Sequence, residues 1–448
     1  MSDVHGRSPS GSAADGHLRA GLAVDALVLA AAKLALGAWV LHAGFTHVSD
    51  DDYARTVIAE QFAHAPRLDP SGTSWLPAPF WIEGFAMVAM GRSLAAARAV
   101  AMGLGAASVA APYAAMRVAG MKRAAAFAAT AVAMTLPWNL WLGVATVPEG
   151  WAGALVAAAA IAMPVEKARP WAAAALLVAS LSRYEAWPAC AVMAVLCVWK
   201  AVRGGATGRR STELLCAQVA VAGPLAWMLW NAPAHGSALH FLARVTSFRH
   251  AIGAADAPFV EKLLEYPAAL ASDAAVAALL GAIGVAGLLR PELRKRHAWP
   301  FITAVAMLAF LVWGDLHDGA PTHHAARALV AIWWILVAAG ADTLASLFAR
   351  ERRGLAYATG ALLAATTAAT LIVRPKTALP GTGAADAREA QIARGLDLRA
   401  RHVLHVEVTP CAFEHFAMLA AWGAPERATI APRTGGLVTS ECPMVVEP

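Results

Sequence analysis

Long apolar blocks with scarcely a charge dominate this chain. Leu94–Ala115, Ala124–Leu142, Ala271–Leu289, Ile332–Phe348 and Leu355–Val373 are the clearest. Each is long enough, or nearly so, to cross the roughly 30 Å of hydrocarbon in a bilayer. A soluble helical protein needs a polar face on every surface helix, and these blocks have none. Composition agrees: 59% of the 448 residues are hydrophobic and 15% charged, against about 45–50% and about 25% in soluble domains. Ala and Gly are plentiful inside the blocks, which suits close helix packing in lipid. The chain is an integral, multi-pass membrane protein.

The formal charge of +6 is not a nucleic-acid signature, because its distribution follows the membrane. Lys and Arg gather in short connectors: Arg117, Lys122 and Arg123; Lys167 and Arg169; Lys200, Arg203, Arg209 and Arg210; Arg290, Arg294, Lys295 and Arg296; Arg350, Arg352 and Arg353. These connectors are expected on the cytoplasmic side and the acidic or mixed ones outside, with lipid rather than nucleic acid as the partner surface. Residues 1–20 form a flexible cytoplasmic N-terminus, and Ala23–Leu41 crosses outward. Residues 43–93 are the first outer loop. Pro79–Met90 lies along the outer surface, with Trp75 and Trp81 at the interface, since a crossing there would put Arg117–Arg123 outside. Trp171–Trp199 has basic flanks at both ends, so it goes out and returns, turning at Ser182–Glu185. The expected fold is all-α, with about eleven spans over residues 21–373 and outer juxtamembrane helices.

Residues 374–448 read as a small extracytoplasmic α+β tail: an amphipathic stretch at Asp386–Arg399, a strand at His402–Val408 and a helix at Phe413–Trp422. Cys411 and Cys442 both lie there, where an oxidising compartment permits a bridge and two free thiols are the other reading. Cys190, Cys197 and Cys216 show no metal-ligand spacing.

Chemistry is expected in the first outer loop, at His47-Val48-Ser49-Asp50-Asp51-Asp52-Tyr53. Group transfer to a hydroxyl needs a base, and an Asp at the membrane surface supplies one. Crowded carboxylates also leave open a divalent cation with oxygen ligands; the plain alternative is an acidic turn opening the next helix. Glu149 stands at the outer mouth of two charge-free helices. Arg183 and Glu185, around Tyr184, sit between the apolar halves of a membrane hairpin, where charge is costly and functional by default. Arg suits a phosphate because its planar fork donates two bonds at once. His323, His324 and Arg327 add positive potential at another outer end. Lys33 and Asp25, inside the first span, read as structural. The chain has no GxxxxGK[ST], HExxH, GxSxG or paired CxxC, and nothing suggests nucleotide use from the cytoplasmic side.

Asp50-Asp51-Asp52-Tyr53 after a first span, followed by the Trp/Pro-rich Ser74–Trp81, resembles the GT-C-fold glycosyltransferases. The branch it looks most like is that of the protein mannosyltransferases and aminoarabinose transferases. Gly91-Arg92-Ser93 with Arg98 is similar to that family's FG-x-S-x-x-x-x-R junction, and Ser182–Trp187 to its (S/T)RYE-x-W sequence. The resemblance covers residues 20–373 and implies a mechanism. A polyprenyl-phosphate sugar is held by basic residues, and a first-loop acid deprotonates the acceptor hydroxyl as the sugar transfers with inversion. It points to Asp51 or Asp50 as base, and to Arg183 and Arg327 at the phosphate. Asp52, Tyr53, Trp75, Glu149, Tyr184, Glu185 and His324 are the further candidates for substrate binding. Some members bind a divalent metal and others do not. The setting it implies is a bacterial inner membrane with the active site facing the periplasm. The sugar and the acceptor stay open. A transporter or lipid flippase, or a non-catalytic binder of lipid-linked sugar, is the other reading of the same residues.

Overall fold

The computed structural model describes residues 10–203, 207–251, 256–319, 324–348, 385–410, 413–431 and 445–447. Helix α1 (Ser10–His42) is followed by the outer-loop helices α2 (Asp51–His64) and α3 (Ala78–Met90). Then come α4 (Leu94–Val118), α5 (Arg123–Met134), the short α6 (Pro137–Trp141) and α7 (Glu149–Ala162). Among the described residues, six helices are long and apolar enough to cross a membrane, or up to seven if a bent pair counts as one span. Ala78–Met90, Arg123–Met134 and Glu149–Ala162 are shorter apolar helices. The block Leu355–Val373, read above as a span, lies outside the described residues, as do Cys411 and Cys442.

The block Ala124–Leu142 is not one helix, and Pro137 is the reason. Proline lacks the N–H that would continue the ladder, so α5 stops and α6 starts with Pro at its first position. The carbonyls left over are capped from α1 and from within: Lys33 Nζ donates to Met134 O at 3.2 Å and to Asn139 O at 2.5 Å. Asn139 Nδ2 donates to Ala133 O at 2.7 Å. A lysine in mid-span is therefore a helix-end cap, in keeping with the structural role expected of it. Gly143 makes room, since a Cβ there would meet Lys33 Cε at 2.6 Å. Nearer the start of α1, Asp25 accepts Arg123 Nε at 2.7 Å and Nη2 at 2.6 Å, and also the Tyr113 hydroxyl. That knot ties α1, α4 and α5 together.

The hairpin expected within Trp171–Trp199 is present as α8 (Arg169–Ser180), a turn, one 3₁₀ turn over Tyr184–Ala186, and α9 (Trp187–Arg203). It is followed by α10 (Thr207–His235), α11 (His240–Ala251), α12 (Phe259–Ser272) and α13 (Ala275–Gly287). The block Ala271–Leu289 also divides, because α12 and α13 meet at a 93° bend. The described membrane helices continue with α14 (Pro291–Leu316), the short α15 (Ala325–Ala328) and α16 (Val330–Phe348). Helices α13 and α16 touch through backbone: a Cβ on Gly340 would lie 2.3 Å from Leu280 O.

In the tail, α17 (Ala385–Ala400) and α18 (His415–Trp422) accompany a three-stranded sheet of order β2-β1-β3, with β1 (Val406–Thr409), β2 (Ala428–Ile430) and β3 (Val445–Glu447). Strand β1 runs parallel to β2 and antiparallel to β3. The tail packs on α2: Leu398, Val408, Met418 and Trp422 form one buried cluster with Tyr53, Val57 and Leu94. The stretch resembling the family's second-span junction helps to hold the site. Ser93 caps α4 by accepting Ala96 N at 3.1 Å, and Arg98 Nη2 grips Thr46 O of the acidic loop at 2.8 Å.

Candidate active site

Four parts of the chain meet just beyond α1: the acidic loop, the first residue of α7, the turn before α9, and α15. Arg327, on α15, is the hub and is only 2% exposed. Its Nη1 donates to Asp51 Oδ2 at 2.9 Å and to Ser49 Oγ at 3.1 Å, and its Nε to Glu149 Oε1 at 2.9 Å. The same Glu149 oxygen takes Arg183 Nη1 at 3.1 Å, and Arg183 forks onto Glu185 at 2.5 and 3.1 Å. An ionised pair is costly to bury unless nearly all its hydrogen-bonding capacity is used. Here it is not, since Glu149 Oε2 has no partner among the described residues.

A small cleft of about 20 Å³ adjoins the cluster; Glu149, Arg183, Glu185 and Arg327 line it together with Val156, Met307, Val330 and Ala331. Its lining offers two guanidiniums that suit an anion, with apolar side chains beside them.

The run of aspartates is resolved into different surroundings. Asp50 is gripped by Arg388 of α17, Nε to Oδ1 at 2.6 Å and Nη2 to Oδ2 at 2.8 Å. Asp51 joins the Arg327 cluster with its side chain 28% exposed. Asp52 is buried and folds back on the loop, accepting Val48 N at 3.1 Å, Ser49 N at 3.3 Å and Thr146 N at 3.0 Å. Its burial pushes the carboxyl up to about 6, against the pull of Arg327 and the backbone donors. Asp52 thus pins the acidic loop to the segment before α7, reinforced by Thr146 Oγ1 donating to Asp52 O at 2.6 Å.

The other expected residues separate into two groups. Glu149, Arg183, Glu185 and Arg327 stand together with Asp51. Tyr53 instead lies buried against the tail, its ring 5.2 Å from that of His47. Tyr184 turns away from the ion cluster: its hydroxyl donates to Ser74 O at 2.7 Å and accepts Trp227 Nε1 at 3.0 Å, and its ring stacks on Phe241 at 4.7 Å. Trp75 lies under the guanidinium of Arg55, 4.4 Å from its ring centre. His324 sits at the N-terminal end of α15, and His323 lies outside the described residues.

Arg55 and Arg388 were not singled out from the sequence. Arg55 is four residues after Asp51 on α2, a spacing that puts both on one helix face; that signal was available. It is buried with Nε and Nη1 unpartnered among the described residues, and it interacts electrostatically with Glu149 and Asp51. Arg388 carried no such signal, being 338 positions from its partner.

Among the described residues no three His, Cys, Asp or Glu groups come together as ligands, and the aspartates point to separate partners, two of them guanidiniums.

No known family profile and no curated protein matches the sequence. Solved structures do match. The structure of ArnT from Cupriavidus metallidurans bound to undecaprenyl phosphate is similar over 92% of this chain and 75% of that one, with a TM-score of 0.52 at 14% identity. The oligosaccharyltransferase of Archaeoglobus fulgidus aligns over 82% of this chain and 55% of that one, at 12% identity and a TM-score of 0.49. A second structure from that organism, the oligosaccharyltransferase AglB with an inhibitory peptide and a dolichol phosphate, gives 0.44 at 13% identity, over 82% and 58%. The protein is a multi-pass membrane protein with the GT-C glycosyltransferase fold.

Proposed function

We propose that this protein is a glycosyltransferase that moves a sugar from a polyprenyl-phosphate donor to an acceptor hydroxyl at the extracytoplasmic face of a bacterial inner membrane. One observation carries the reading: Asp51, partly exposed, is tied through Arg327 to the Glu149–Arg183 cluster beside a cleft whose wall is part ionic, part apolar. The likeness to ArnT, a protein bound to undecaprenyl phosphate in its solved structure, supports the choice of donor class.

In this reading the lipid chain lies along the apolar wall and the phosphate meets Arg183 and Arg327. Glu149 holds both guanidiniums in place beforehand, so binding does not require them to be ordered from solvent. The acceptor hydroxyl gives its proton to a carboxylate oxygen of Asp51 while its own oxygen attacks the anomeric carbon. The bond from that carbon to the phosphate oxygen breaks, and its electron pair leaves with polyprenyl phosphate. Attack opposite the leaving group inverts the anomeric centre. As the phosphate gathers charge, the two guanidiniums stabilise it more strongly, which is how fixed dipoles and charges accelerate such a step.

The test is the purified chain in nanodiscs with a panel of radiolabelled polyprenyl-phosphate sugars. Turnover of one donor is expected. If none is turned over and none is bound, the enzyme reading fails, and transport assays with the same lipids become the next experiment.

A further inference from the structure

The acidic loop is also held from the tail. Arg388 sits on α17, and its fork meets both oxygens of Asp50 at 2.6 and 2.8 Å. Planar two-point pairs of this kind fix direction as well as distance. The helix carrying Arg388 is anchored independently: Leu398 of α17 and Met418 and Trp422 of α18 share a core with Tyr53 and Val57 of α2. At the far edge, Arg92 pairs with Glu426 at 2.6 and 3.0 Å, and Arg399 Nη1 donates to Arg92 O at 2.8 Å. Gly423, with φ +79°, ends α18 so tightly against the connector between α3 and α4 that a Cβ would meet Arg92 O at 2.6 Å. The tail therefore presents Arg388 from a docked, built surface.

Consecutive carboxylates raise a problem of register. Asp50 and Asp51 are adjacent carboxylates of the same chemistry, and either could in principle pair with a guanidinium. Asp52 is withdrawn by the backbone donors of its own loop and of Thr146. The remaining two are separated by their guanidinium partners, Arg327 on Asp51 and Arg388 on Asp50.

We propose that the C-terminal domain supplies Arg388 as a positioning residue of the active site: by clamping Asp50 it removes that carboxylate from competition for Arg327 and leaves Asp51 as the partner of Arg327 beside the cleft. This rests on the glycosyltransferase reading for its kinetic consequence, but not for the clamp itself. A bare docking contact would hold the tail without altering the loop. A positioning contact alters the loop even when the tail stays docked, through its core and the Arg92–Glu426 pair.

The experiment uses the full chain in nanodiscs, with Arg388→Gln, Arg388→Lys, Asp50→Asn and the double variant Arg388→Gln/Asp50→Asn. Hydrogen exchange is read on the loop 46–56 and, as a control for docking, on α17 and α18. Expected for Arg388→Gln is faster exchange in the loop with the tail helices still protected. With the donor that the wild type turns over, kcat should fall about tenfold while the donor KM stays within about twofold, as for a misaligned reacting group. Arg388→Lys should recover part of the loss, and the double variant should be no slower than Arg388→Gln. Unchanged loop exchange, wild-type kcat in Arg388→Gln, or a raised KM at constant kcat would each overturn the proposal. Should no donor be turned over by the wild type, the glycosyltransferase reading falls while the exchange arm still decides the clamp.

Discussion

Two carboxylate–guanidinium clusters lie along α1, one midway and one beyond its end, and they are built differently. Midway, both oxygens of Asp25 are taken, by Arg123 and the Tyr113 hydroxyl. Beyond its end, Asp51, Glu149, Arg183, Glu185 and Arg327 form a larger network that, among the described residues, leaves Glu149 Oε2 without a partner and borders a cleft. The first cluster is closed and joins helices. The second holds capacity in reserve. Charge in an apolar setting marks both, so charge alone does not separate a helix tie from a site; a cleft lined by the charged groups does.

The largest effect expected to test this contrast is on turnover. Asp51→Asn should lower the transfer rate by about 10²–10⁴-fold, the usual contribution of a positioned base, with little change in melting temperature. Asp25→Asn should do the reverse, lowering the melting midpoint by several degrees while the folded fraction keeps its kcat. If Asp25→Asn also abolished turnover in folded protein, the two clusters would not differ in kind.

Lysine replacements sharpen the same comparison at intermediate size. Arg327 uses Nε and Nη1 on Glu149, Asp51 and Ser49, a geometry a single ammonium cannot reproduce. Arg327→Lys is expected to weaken donor binding and turnover by at least about tenfold, read as kcat/KM. Arg123→Lys, on a side chain 62% exposed, should leave kcat/KM near wild type.

The smallest effect concerns a carboxylate in neither cluster. Glu60 of α2 is fully buried, with neither oxygen partnered among the described residues, and burial holds its carboxyl well above the ordinary value. The unfolded chain ionises first, so the native state binds the extra proton and stability falls as pH rises above the unfolded value. Glu60→Gln should therefore match wild type at acid pH and melt higher at pH 8. A lower midpoint at pH 8 would mean the ionised carboxylate has a stabilising partner after all.

Elements whose signal is local were readable in the sequence. A helix stands at Pro79–Met90 as expected, the return at Ser182–Glu185 joins α8 to α9, and the tail has helices over Ala385–Ala400 and His415–Trp422, while the strand expected at His402–Val408 is shifted to Val406–Thr409. The breaks in Ala124–Leu142 and Ala271–Leu289 were less visible, because apolar content measures affinity for lipid and not helix continuity. Pro137 was a local warning; the capping by Lys33 was not, since its partners lie 101 and 106 positions away. The same distance problem governs the site. Asp50, Asp51 and Asp52 are indistinguishable by neighbourhood in the chain, and what separates them is Arg388, Arg327 and Thr146, from remote segments. Arg55 was within reach of a helix-face argument from Asp51 and marks where such an argument is worth making.

The most direct test of the account is paired binding and turnover by Asp51→Asn in nanodiscs with the donor that wild type uses. If Asp51 is the base and Arg183 and Arg327 hold the phosphate, the variant binds the polyprenyl-phosphate sugar about as tightly as wild type and transfers almost none of it. Wild-type turnover by Asp51→Asn, or loss of donor binding with the rate at saturation preserved, would contradict it.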